Sequence, residues 1–151
     1  MRHNPYDDVK IVGGNSVVAT SFTGSTPATG NKVDTIGGDN AAVYASAAAA
    51  SGTPTTGTLA VKVQESADGS TAWTDALDNT GTAIGFTLDA HAAAADNIAR
   101  IEGLNLNRKR YLRVVITPAF TGGSSPAILA FGQIVLGNES PLPVATATSN
   151  T

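Results

Sequence analysis

The sequence has no cysteine and is poor in aromatic and charged residues. Aromatic residues make up 5% of the 151 positions and charged residues 14%, whereas about a quarter of an average soluble domain is charged. The missing thiols exclude disulfides, thiolate catalysis and cysteine-ligated zinc or iron–sulfur sites. The net charge of −3 argues against a nucleic-acid partner, because affinity for nucleic acid comes mainly from cations that neutralise phosphates.

Long apolar runs are also missing. The stretch 127–136 is among the most apolar in the chain, and it is too short for a membrane-spanning helix. Residues 1–10 lack the apolar centre of a secretory signal. We therefore expect a protein that is made and folded in a cytoplasm and has no membrane partner.

Small neutral residues dominate what is present. Ala, Thr, Gly and Ser account for 71 of the 151 residues, with 25, 19, 16 and 11 copies respectively. This composition is typical of a compact β-protein whose surfaces pack against other surfaces. The length is that of one domain, and a domain of this size buries enough surface to fold without a metal or a disulfide.

Alternation of apolar and polar residues predicts two clear β-segments. Leu59, Val61 and Val63 share one face of a strand, which is the period of a half-buried antiparallel strand. The Asp-Gly turn signal that follows it predicts a hairpin over 59–76. Residues 110–117 predict a second strand, which we expect to end at Pro118 because proline cannot donate to the ladder.

The stretch 127–136 predicts a strand that is apolar on both faces. Such a strand is central in a sandwich or faces a second subunit. Shorter strands are predicted over 9–20, 32–36, 40–48 and 98–101. At least six strands with turn-rich spacing indicate an all-β fold, an antiparallel β-sandwich or jelly roll. We expect an extended N-terminal arm over 1–8, one β-sandwich domain over 9–137 and a C-terminal tail over 138–151.

Catalytic motifs are not found in the sequence. His3 and His91 are the two histidines, and neither belongs to a metal-binding or catalytic spacing. The sequence has no nucleophile elbow, phosphate-binding loop or dinucleotide fingerprint. We therefore predict no catalytic, cofactor-binding or metal-binding residues, and a protein that is not an enzyme.

Two charged clusters have alternative interpretations. Calcium favours several oxygen ligands on a short loop, but the spacing of the hairpin carboxylates does not match that of an EF-hand, and turn formation explains Asp68 better. Those carboxylates are Glu65, Asp68, Asp75 and Asp78. Arg108, Lys109 and Arg110, with Arg113 nearby, form the basic cluster. It is either a solvated turn, with Arg113 lying over the sheet face of Tyr111, or a contact for phosphates or for an acidic patch on a partner protein.

Three segments together resemble a known family. Residues 61–75 read VKVQESADGSTAWTD, residues 109–117 read KRYLRVVIT, and residues 131–137 read FGQIVLG. This succession of hairpin, strand and final strand resembles small head-region structural proteins of tailed bacteriophages, over roughly 59–137.

The resemblance implies a capsid decoration, or cement, protein. Such a protein is expected to be a β-sandwich on the outer capsid surface of the virion, bound at junctions between major capsid proteins, often as a homotrimer. On this hypothesis the contacts with its partners come from the N-terminal arm and the basic cluster. The expected contact residues are Arg2, Tyr6, Asp7, Arg108, Lys109 and Arg110.

The alternative is a carbohydrate-binding β-sandwich module of a phage tail or surface protein. Such modules expose aromatic platforms on which sugars stack. The sequence supplies one Trp, three Tyr and four Phe, and most of these are needed for a core. Sugar binding that depends on Trp73 would favour this alternative.

Overall fold

A computed structural model describes residues 9–11, 17–36, 38–91, 98–104 and 109–139, and all regular structure in these residues is β-strand. One sheet has five antiparallel strands. They are β1 (Val9–Ile11), β2 (Val17–Phe22), β5 (Gly38–Ala47), β9 (Ile98–Leu104) and β11 (Ile128–Glu139). No helix in these ranges is long and apolar enough to cross a bilayer.

The other sheet has six strands. They are β3 (Ala28–Thr29), β4 (Val33–Asp34), β6 (Thr56–Ser66), β7 (Thr74–Asp75), β8 (Gly85–Asp89) and β10 (Tyr111–Thr121). Every strand pair in the two sheets is antiparallel. The prediction of an all-β antiparallel sandwich is therefore confirmed.

Because the edge strands are interrupted, the eleven strand segments in the described residues correspond to eight strands. β1 and β2 follow the same edge of β11, β3 and β4 follow β10, and β7 and β8 follow β6. When each pair counts as one strand, the order in chain numbering is 1-8-3-6 in one sheet and 2-7-4-5 in the other. Eight strands interleaved in this way form a jelly roll.

Alternation along the central strands builds the core between the two sheets. Leu59, Val61 and Val63 of β6 are at most 1% exposed, as the alternation predicts. Leu112 and Val114 of β10 face them from the neighbouring strand and are fully buried. Ala47 ends β5 and residues 48–50 are not helical, which agrees with the predicted end of a strand.

The prediction that Pro118 ends its strand is wrong. β10 continues to Thr121, and Pro118 pairs with Leu59. The carbonyls of Arg110 and Val114 accept hydrogen bonds from the β3–β4 side, so the backbone of even-numbered residues points to that edge. β3 pairs with β10 no further than Ile116. The nitrogen of Pro118 therefore faces a position where the described sheet has no ladder partner, and its missing N–H costs no hydrogen bond.

The predicted domain boundaries stay predictions. β11 runs to Glu139, two residues into the predicted tail over 138–151. The arm over 1–8 and residues 140–151 lie outside the described part of the chain, as does the alanine run over 92–95.

Candidate interaction surfaces

The outer faces of the two sheets differ in charge. The side chains of five Lys and Arg residues are described, and all of them lie on the six-stranded sheet or at its ends. These are Lys32, Lys62, Lys109, Arg110 and Arg113. We call the outer side of this sheet the cationic face; the six described carboxylates also lie on this sheet or at its ends, and they are Asp34, Glu65, Asp68, Asp75, Asp78 and Asp89. The described side chains on the outer side of the five-stranded sheet carry no charge.

That uncharged surface, the neutral face, is formed by β5 and β11. The even-numbered residues of β11 from Ile128 to Leu136 are buried in the core, so the odd-numbered residues point outward. Leu129 is 52% exposed. The rings of Tyr44 and Phe131 touch, with centroids 5.5 Å apart. The described residues of the neutral face are Ala42, Tyr44, Ser46, Leu129, Phe131, Gln133 and Val135.

On the cationic face, Arg113 lies over the indole ring of Trp73. The guanidinium carbon is 4.2 Å from the ring centroid, a distance at which a cation is attracted to the ring. Nε and Nη2 of Arg113 both donate to Oε1 of Gln64, at 3.0 and 2.7 Å. Arg113 thus shares the sheet face of Tyr111, as expected, but it stacks on Trp73.

A second pair of contacts fixes Gln64 in turn. Its amide nitrogen donates to Asp75 at 3.2 Å, and the other carboxylate oxygen of Asp75 accepts from Lys62 at 2.8 Å. The hydrogen bond from Lys62, reinforced by the one from Gln64, lowers the pKa of Asp75. The result is a continuous row of side chains, Lys62, Asp75, Gln64, Arg113 and Trp73, across β6, β7 and β10.

The turn over 67–71 folds back onto the same face. Asp68 accepts hydrogen bonds from the hydroxyl and the backbone N–H of Thr71, from the N–H of Ser70 and from the hydroxyl of Ser66. These donors, the Thr71 hydroxyl first, hold the pKa of Asp68 far below its ordinary value. The turn also buries Gly69 against the ring of Tyr111.

Internal contacts engage the two described members of the predicted basic cluster. Nε and Nη2 of Arg110 donate to the carboxylate of Asp34 at 2.7–3.1 Å, which raises the pKa of Arg110. Lys109 donates to Thr74 at 2.8 Å and lies 3.7 Å from Glu65. Their role as partner contacts stays a prediction. The other predicted contacts, Arg2, Tyr6, Asp7 and Arg108, lie outside the described residues.

The hairpin carboxylates considered for calcium are engaged by protein donors. Asp78 accepts from the backbone N–H groups of Thr80 and Thr82 and from the Thr80 hydroxyl, and Glu65 faces Lys109. His91 contacts Asp89 at 3.1 Å in an exposed loop. Among the described residues, no group of three His, Cys, Asp or Glu side chains could hold a metal ion.

Sequence reasoning missed how these two surfaces are assembled. Trp73 and Arg113 are 40 positions apart and Tyr44 and Phe131 are 87 apart. Tyr44 and Phe131 meet because β5 pairs with β11, whereas Trp73 reaches Arg113 because the β6–β7 connection folds back across β6 toward β10. The sequence of β11 indicated part of this arrangement, because a strand with apolar residues on both faces must place one of the two sets outside the core. The pairing of β5 with β11 could not be derived from either segment alone.

Comparison with known proteins finds remote structural similarities. No protein-family model and no curated protein matches the chain. Among solved structures, the PBSX exported protein XepA is similar with 16% identity and a TM-score of 0.49. The match covers 100% of this chain and 44% of XepA, so the chain spans less than half the length of that protein. A structure of Desmodium yellow mottle tymovirus is similar with 15% identity, 86% coverage of both chains and a TM-score of 0.34.

Proposed function

We propose that this protein is a non-enzymatic structural protein of a bacteriophage virion, a decoration protein on the outer capsid surface. It binds at junctions between major capsid proteins and adds its binding free energy to the stability of the shell, since a ligand that prefers the assembled state stabilises that state. The jelly roll is compatible with this role, because some viral capsid proteins have this fold, although a fold alone does not define a function.

The neutral face is the observation that carries the proposal. The centres of protein–protein interfaces are depleted of charge and enriched in aromatic residues. Leu129, Phe131 and Tyr44 provide such a surface on two long, central strands, where the backbone is rigidly held. We assign this face to the contact with the shell.

The segments that resemble phage head proteins support the same conclusion. Residues 61–75 and 109–117 lie side by side, because β6 and β10 pair from Thr56–Thr121 to Ser66–Tyr111. Residues 131–137 belong to β11 in the opposite sheet. The three segments thus lie mainly in β6, β10 and β11, three of the four central strands, so the resemblance concerns the scaffold.

The N-terminal arm and the basic cluster provide the remaining contacts of the proposed assembly, in which the protein is a homotrimer. Residues 1–8 would lie across a neighbouring subunit, and Arg108, Lys109 and Arg110 would pair with capsid carboxylates at the rim. Because Lys109 and Arg110 already have acidic neighbours, exposed pairs there would orient the protein more than hold it.

The test uses phage heads that lack this protein. Adding the purified protein back is expected to raise the temperature at which the heads rupture. Leu129→Ser should lower occupancy on the heads with little change in the melting temperature of the free protein. Val115→Ser is the matched control, because Val115 is a half-buried residue on the outer side of the opposite sheet.

Two results would contradict the proposal in different ways. Failure of the protein to bind heads, or its presence in tails alone, would reject the decoration function. Normal occupancy of Leu129→Ser combined with loss for Val115→Ser would keep the function and reject the neutral face as the contact.

A further inference from the structure

Arg113 differs from its neighbours on the cationic face in how its charge is balanced. Lys62, Lys109 and Arg110 each lie within 4 Å of a carboxylate, and Lys32 lies over the ring of Tyr111. Among the described residues, Arg113 contacts a neutral amide and an aromatic ring instead. Partial burial lowers the pKa of Arg113, and this guanidinium remains charged at neutral pH all the same.

The row of side chains described above holds this guanidinium in place. Gln64 is fixed by Asp75 and Asp75 by Lys62, so the amide that orients Arg113 has little freedom of its own. A guanidinium has five N–H donors, and the bonds to Gln64 use Nε and Nη2. No described residue accepts a hydrogen bond from Nη1, which leaves donors for a ligand.

A shallow depression lies beside the row. It has a volume of about 200 Å³ and lies between β6 and β8 next to Lys62. Gly85 has no side chain to fill it, and a Cβ there would be 2.4 Å from the carbonyl oxygen of Val61. Ala60 and Thr87 add small side chains to the lining. The depression lies at the Lys62 end of the row, where it can accept an apolar side chain; Asp75 and Gln64 lie between Lys62 and Arg113.

We infer that Arg113 and Trp73 anchor a docking site for an acidic segment of a partner protein, one carboxylate of which binds the guanidinium while another side chain of the segment enters the depression at the Lys62 end of the row. A planar guanidinium matches a carboxylate in geometry and charge, and Trp and Arg are frequent energetic centres of interfaces. The site is on the sheet opposite the neutral face and can fail independently of the proposed function.

The test is a titration of the full-length protein with a capped hexaglutamate peptide. Trp73 is the only tryptophan, so its fluorescence and its indole N–H signal in ¹H–¹⁵N spectra report on this site alone. We expect the Trp73 indole and Arg113 Nε–H signals to shift most, and the shifts to disappear in high salt. Arg113→Gln should weaken binding about tenfold, the usual loss for a charged hydrogen bond.

Lys32→Gln is the matched control, because it removes one positive charge from the same sheet at an exposed residue that lies over the ring of Tyr111 and outside the row. It should change affinity less than about threefold, because salt screens an exposed charge that does not touch the peptide. Equal losses for the two variants, or no shift with hexaglutamate, would overturn the inference. A Trp73 response to maltooligosaccharides without one to the peptide would also overturn it, in favour of a sugar-binding site. If Arg113→Gln has a much lower melting temperature than the wild type, the inference is tested by the peptide-induced shifts of the Trp73 indole and Arg113 Nε–H signals in the wild-type protein.

Discussion

Gly69 lies directly on the ring of Tyr111. A Cβ at Gly69 would be 2.8 Å from Cγ and 2.9 Å from Cδ2 of that ring, and the backbone has a φ of +67°. The β6–β7 turn therefore needs glycine for two reasons, the left-handed conformation and the lack of space. Two cations also contact this ring, since Lys32 and Arg110 lie 5.2 and 5.1 Å from the ring centroid of Tyr111.

Gly69→Ala is predicted to lower the free energy of unfolding by more than the backbone strain alone would. A left-handed non-glycine residue costs about 1–2 kcal/mol, and the overlap with Tyr111 should add at least about 1 kcal/mol. Gly81→Ala is the control, because Gly81 has a φ of +84° but open space around its Cβ position. Urea unfolding measures both variants, and equal losses would show that Tyr111 moves aside freely.

Truncation of the two leucines near the ends of β11 should lower the free energy of unfolding by very different amounts. Leu136 is fully buried and Leu129 is 52% exposed. Leu136→Ala should lower the free energy of unfolding by about 2–5 kcal/mol, because it leaves a cavity between the sheets. Leu129→Ala should change it by less than about 1 kcal/mol, as surface substitutions do. Chemical denaturation tests the pair, and a reversed order would mean that the faces of β11 are misassigned.

Acid should destabilise the protein partly through Asp68. The pKa of this carboxyl is held far below its unfolded value of about 4, so its contribution is fully present above about pH 4 and is lost as the pH falls further. In Asp68→Asn the side-chain oxygen can still accept hydrogen bonds, but the side chain cannot ionise. Its stability should therefore fall less steeply than that of the wild type between pH 4 and 2 in thermal melts. Parallel curves would show that Asp68 does not contribute.

Local alternation predicted much of the fold but could not predict its connections. The period of β6 and β10 identified both strands and the residues that they bury, since those signals depend on neighbouring residues only. Pro118 was misread because its effect depends on where β3 ends, which is a fact about a distant segment. A hairpin can be predicted from a few consecutive residues, whereas the pairing of β1 with β11 joins segments from distant parts of the chain.

The same limit applies to the candidate surfaces. The sequence located the basic cluster at 108–110, but Asp34, which binds Arg110, is 76 positions away. Arg113 was recognised as a surface cation, while its stacking on Trp73 required the β6–β7 turn to bring the ring onto β10. Composition alone indicated a protein that packs against others, and only strand pairing separates the neutral face from the cationic face.

The position of β11 has a consequence for how the protein is made. It is the last described strand in chain order, yet it lies inside its sheet between β2 and β5. On the ribosome, the earlier strands of that sheet must wait with open hydrogen-bonding edges until β11 has been synthesised. Such late, long-range closure makes folding slow and exposes nascent chains to aggregation, so the yield in cells should rise when translation or temperature is reduced.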